Sequence, residues 1–107
     1  MSLDISLMEI SPHEVFSQNI THNLGEMAEK AGIYSCLWHP EETRIVTAAD
    51  LAERLVPALA DMKARPEYFK QFDAPNGWGK YEHFIPWLEK LIEACNEHPK
   101  ANIEVSI

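Results

Sequence analysis

Asn102-Ile103-Glu104-Val105-Ser106-Ile107, which closes the chain, places Ile103, Val105 and Ile107 on one face of an extended segment and Glu104 and Ser106 on the other. A period of two is the mark of a half-buried strand. The opening stretch Leu3-Asp-Ile-Ser-Leu-Met-Glu-Ile10 repeats the pattern at Leu3, Ile5 and Leu7. Two strands alone are marginal in water, so the terminal strands must share a sheet that helices cover or a third strand extends. Glu14 to Ile20 supplies that third strand, in preference to a short helix in which Ser11 caps and Glu14 completes a capping box.

Between the strands the apolar period becomes helical. Thr21 reads as the cap of a first helix, with Leu24, Met27, Ala28 and Ala31 on one face and Gly32 as the stop. Thr47, with Asp50 three residues on, caps a second. There Val46 is placed to staple onto Leu51, and Leu51, Leu55, Leu59 and Met62 form the buried stripe. Pro57 is expected to kink or split that helix. Pro66 begins a short turn running to Phe72, and a last helix runs from Trp78 or Lys80 to Glu97, burying Phe84, Leu88, Leu91, Ile92 and Cys95, with a kink at Pro86. The connection from Ile33 to Val46 is long for a compact domain, and Tyr34 and Trp38 imply that it is packed. The fold class that follows is α+β: a single domain over residues 1–107, with three main helices on a small sheet formed by the N- and C-terminal strands.

Composition narrows the function classes. A chain of 107 residues with 46% hydrophobic content builds one core. The net charge of −8, from 17 acids against 9 Lys and Arg, disfavours a grip on nucleic-acid phosphates and suits a basic host protein as partner. No apolar run approaches the roughly 18 residues of a membrane span, and Met-Ser-Leu-Asp is no signal peptide, so the expected setting is cytoplasmic and no membrane partner is expected. Exposed edges of the terminal strands make a homodimer contact the natural oligomeric expectation.

Several residue patterns invite chemistry. Cys36-Leu-Trp-His39 and Cys95-Asn-Glu-His98 together hold the donor set of a zinc site. Zinc modules pair their cysteines across a knuckle, however, and Cys95 falls on an apolar helical face, so no metal is expected and no cofactor either. The stronger set is polar and aromatic: Asn19, Thr21, His22 and Asn23 at one helix entrance, and Asn76, Trp78, Tyr81 and Glu82 at another. Two helix entrances facing each other would offer backbone N–H groups to a small polar or anionic ligand, with Trp78 and Tyr81 stacking on it and Asn23 and Asn76 reading its edge. The same residues also serve as caps, turns and packing. A further reading makes His22 or His83 a general base with Glu82 as acid partner, in a small hydrolase. Asn76-Gly77 marks a tight turn, and Gly79 lets the chain bend again after Trp78.

Across Asn19-Ile-Thr-His-Asn23, Ala31-Gly-Ile-Tyr34, Trp38-His-Pro40, Asn76-Gly-Trp-Gly-Lys-Tyr-Glu82 and Ala94-Cys-Asn-Glu-His-Pro99 to Ser106, the chain resembles a family of small uncharacterised proteins from bacteria and their phages. The resemblance spans nearly the whole length, and it carries no established activity. It implies a phage or prophage setting, in which small acidic proteins inhibit or sequester host components. The position of His39 resembles one where relatives often carry arginine, which counts against a four-ligand zinc site.

Overall fold

The computed structural model describes residues 2–10 and 13–107. β1 (Ser2–Ile10) lies between β2 (His13–Thr21) and β3 (Asn102–Ser106) and is antiparallel to both. Leu3 sits opposite Ile20, Ile5 opposite Gln18 and Val105, and Leu7 opposite Phe16 and Ile103. Every one of these positions therefore faces the helices, while Asp4 and Glu104 face away and are exposed. The third strand, which the sequence reading preferred to a short helix, is present. Ser11, the cap of the rival short helix, lies outside the described residues, and Glu14 belongs to β2. Val15 is an extra residue in β2, between Glu14 opposite Met8 and Phe16 opposite Leu7. This bulge turns both Val15 and Phe16 toward the core.

Thr21 Oγ1 accepts the Asn23 N–H (3.2 Å) and opens a 3-10 turn, His22–Leu24, that continues into α1 (Gly25–Lys30). Gly32, at φ +80°, ends it: the Ile33 N–H reaches back to the Ala28 carbonyl (2.9 Å) and the Gly32 N–H to that of Glu29 (3.0 Å). The long connection is packed, as its aromatics imply. It holds α2 (Tyr34–Trp38) and a 3-10 turn, Pro40–Thr43, with Cys36, Leu37 and Trp38 buried.

α3 (Ala48–Ala64) starts at a complete capping box between Thr47 and Asp50. Backbone N–H groups of Thr47 and Val46 hold the Asp50 carboxyl below the usual carboxylate range. Two further N–H groups of its first turn donate into the segment before β3, Ala48 to the Ala101 carbonyl (2.8 Å) and Ala49 to that of Pro99 (3.0 Å). Val46 does not staple onto Leu51. It is 61% exposed because its carbonyl accepts the Ile103 N–H at the edge of β3, and Ile45 takes the buried place instead.

Neither proline divides its helix. Pro57 in α3 and Pro86 in α5 (Tyr81–Glu97) both lie on the solvent side, as do Glu53 and Glu82, whose carbonyls lose a donor, so water can serve those groups. α4 (Pro66–Lys70) is shorter than the expected run to Phe72. On α5 the fully buried stripe is Phe84, Leu88, Leu91 and Cys95, joined by Trp87 and Ala94, while Ile92 is only half-buried. The result is an α+β domain with one core, its sheet covered on one face by the stretch 22–30, α3 and α5. Among the described residues no helix is long and apolar enough to cross a membrane.

The capping box makes a direct prediction. Thr47→Ala should lower unfolding stability by about 0.5–2 kcal/mol in urea denaturation, with the fold retained.

Candidate functional site

Where the end of β2 meets the start of α5, the surface opens into a cleft of about 740 Å³. That is a volume typical of small-molecule sites. Ile20, Leu24 and Trp87, all buried, form its apolar floor. Gly77, Trp78 and Gly79 make one wall, and Ser2, Asn19, Thr21, Asn23 and His83 complete the lining.

The wall is a closed turn. The Ala74 N–H donates to the Gly79 carbonyl (2.9 Å) and the Gly77 N–H to the Ala74 carbonyl (3.1 Å). Gly77 has φ +80° and Gly79 φ +118°, conformations that side-chain-bearing residues rarely adopt. Gly79 is constrained a second time, because a Cβ there would come within 2.9 Å of the Asn23 Cβ. The two helix entrances therefore do meet. Asn23 Nδ2 donates to the Trp78 carbonyl (2.7 Å), and Asn76 Oδ1 accepts the Trp78 N–H (2.9 Å). Trp78 is held at both ends of its peptide unit, yet its side chain is 73% exposed.

The floor is pinned just as firmly. Trp87 Nε1 donates to the Asn19 carbonyl (3.1 Å), and Gln18 Nε2 donates to the Trp87 carbonyl (3.0 Å). These two bonds tie α5 to β2 beneath the cleft. The sequence reading missed Trp87 and assigned His83 only to catalysis. The signal was present, since Trp87 stands three residues after Phe84 and four before Leu91, on the buried stripe, and His83 lies one turn earlier on the same face.

Of the eight residues singled out from sequence, Asn19, Thr21, Asn23 and Trp78 line the cleft. The other four do not, and each has another role. Asn76 spends its side chain on holding Trp78. The Tyr81 hydroxyl donates to the Met62 carbonyl (2.9 Å), which ties α5 to the end of α3 and prevents Tyr81 from stacking beside Trp78. His22 Nδ1 accepts the Trp38 Nε1–H (2.8 Å), so its proton sits on Nε2. Trp38 itself is buried, with Tyr34 stacked on it at 5.0 Å. Glu82 is exposed and consecutive with His83, about 100° away around the helix, which is poor geometry for an acid–base pair.

The positive end of α5 is already engaged within the chain, where the carboxylate of Asp73 accepts the Tyr81 N–H (2.7 Å). The other entrance is a single 3-10 turn. The zinc donor set is not assembled. Cys36 Sγ donates to the Ile33 carbonyl (3.2 Å), and His98 Nδ1 lies 3.2 Å from Glu9 Oε2. Burial pushes the Cys36 thiol up to about 11 and the Cys95 thiol up to about 12, which leaves both protonated and poor nucleophiles. Among the described residues the one group of three donors within 4.8 Å is His39, Glu41 and Glu42, whose glutamates are exposed on a surface turn.

No protein-family model, curated protein or solved structure matches the chain. The site is therefore read from its own geometry.

The two tryptophans of the cleft should separate cleanly by mutation. Trp87→Ala removes a packed floor and should cost about 3–5 kcal/mol in urea denaturation. Trp78→Ala should change stability by no more than about 0.5 kcal/mol, because its ring makes little buried contact.

Proposed function

We propose that this chain is a non-enzymatic binding protein whose site is the cleft between β2 and α5, and that its ligand is small and polar with one flat face. The observation that carries this reading is Trp78. This residue, 73% exposed, projects from a turn with two positive-φ glycines and with hydrogen bonds to both its backbone N–H and its carbonyl. A platform fixed before binding loses little conformational entropy when a ligand stacks on it. The carboxamides of Asn19 and Asn23 lie beside it to fix orientation.

In a thermal-shift panel of small polar compounds, a true ligand at 100 times its dissociation constant should add about 2.7 kcal/mol to the folded state. That protection should vanish in Trp78→Ala, whose own stability is expected to match the parent. A panel with no Trp78-dependent shift would remove the cleft as a binding site.

A second reading draws support from charge. Glu93 and Glu97 are exposed on α5, and Glu89 is paired with Lys63, within a chain of net charge −8. An acidic module of this kind would hold a basic host protein, in keeping with the phage or prophage setting that the resemblance implies. Capture of one basic protein should then weaken steeply as salt rises from 0.05 to 0.5 M, roughly as the screening length contracts. A homodimer built by strand pairing would use the outer edge of β2, since β1 is paired on both sides and the outer edge of β3 meets Val46 and Thr47.

A further inference from the structure

The lining of the cleft holds no Asp, Glu, Lys or Arg, although these make up 24% of the chain. Its hydrogen-bonding capacity can be followed atom by atom. Asn23 Nδ2 faces a backbone carbonyl, and Asn19 Nδ2 faces Asp4 Oδ1 (2.7 Å) and Ser2 Oγ (2.7 Å). A carbonyl and a carboxylate only accept, so the orientation of both carboxamides is fixed and their amide nitrogens are engaged. Asn19 has left only its Oδ1, an acceptor, and Asn23 its Oδ1 and one N–H, with no protein partner among the described residues. Ser2 and Thr21 accept through their hydroxyl oxygens, from Asn19 Nδ2 and the Asn23 N–H, and keep their O–H groups to donate, and the Trp78 indole N–H and the ring of His83 add further polar atoms.

An anion would meet two carboxamide oxygens and no Lys or Arg. A cation would meet a lining with no carboxylate. A ligand that matches is uncharged, presents both donors and acceptors around its edge, and has an apolar face for the indole of Trp78. Trp78 is exposed, and Trp87 lies buried in the floor with its N–H committed to the Asn19 carbonyl, so the ligand is received on a platform rather than clamped between two rings. Resting on the reading of the cleft as a binding site, we propose that it binds a neutral carbohydrate: C–H groups of one sugar face lie on Trp78, and hydroxyls donate to Asn19 Oδ1 and Asn23 Oδ1.

Saturation-transfer difference NMR on the full chain, followed by titration of tryptophan fluorescence, tests this with three sets of probes. They are neutral methyl glycosides and disaccharides of glucose, galactose, mannose and N-acetylglucosamine; the neutral nucleosides adenosine, cytidine and uridine; and phosphorylated glucose. At least one neutral sugar should bind, its affinity should fall about tenfold or more in Trp78→Ala, and phosphorylation should weaken it by a similar factor. Circular dichroism of the variant, unchanged from the parent, guards against misfolding. Trp78-dependent binding of a nucleoside, with every sugar silent, would overturn the carbohydrate assignment and leave the cleft standing as a site. Tighter binding of the phosphorylated sugar would overturn the uncharged-ligand argument. Silence from all three sets, or sugar binding indifferent to Trp78, would overturn both the assignment and the cleft.

Discussion

β1 accepts a neighbour on each edge, and the rest of the architecture depends on that. Its buried face, Leu3, Ile5 and Leu7, has no solvent exposure, and the last strand of the chain supplies one of its two partners. Because the first and last strands are paired, everything between β2 and β3 must leave the sheet at one point and return at another on the same covered face. The returning segment is held before β3 begins, through the bonds from Ala48 and Ala49 to the carbonyls of Ala101 and Pro99. These bonds satisfy N–H groups that the first turn of α3 would otherwise leave without partners. Closure of the sheet and the start of α3 are thus joined by the same bonds.

The cleft follows from the other edge. β2 runs past the core and ends where α5 begins, and α5 is fastened there through Trp87 and Gln18. The three tryptophans divide the work. Trp38 and Trp87 bury their rings and give their N–H groups to His22 and to the Asn19 carbonyl. That is how indoles behave in a core. Trp78 departs from this pattern: no protein acceptor for its indole N–H is present among the described residues, and its ring faces outward. That departure is what the proposed binding reading rests on.

Much of the fold was legible in the sequence because it depends on local rules. Alternation located the two terminal strands, the Thr47–Asp50 box placed the start of α3, and Gly32 marked the end of α1. Where the reading failed, a distant partner had intervened. Val46 is exposed because Ile103 claims its carbonyl, and the prolines leave their helices whole because the lost bonds face water. The candidate site was half legible for the same reason. Gly77 and Gly79 announced a special turn, but nothing nearby in sequence shows that Tyr81 is tied to Met62, 19 residues earlier, or that His22 is committed to Trp38. Asn76 needs no positive φ of its own, because its side chain bonds the Trp78 N–H instead.

An acidic chain with an uncharged cleft is consistent rather than paradoxical. The carboxylates lie on outer helix faces, at Glu89, Glu93 and Glu97, and at turns such as Glu41 and Glu42, where water screens them. Two carboxylates touch the site's architecture and both are engaged, Asp4 by Asn19 Nδ2 and Asp73 by the first N–H of α5. Removing the positive helix end from service takes away the usual means of holding an anion and, on the proposed reading, leaves shape, stacking and neutral hydrogen bonds to select the ligand. Selection of that kind depends on rigid placement of a few groups. The two glycines, Asn23 and Asn76 provide it, by fixing the backbone around a single side chain that the fold itself does not need to bury.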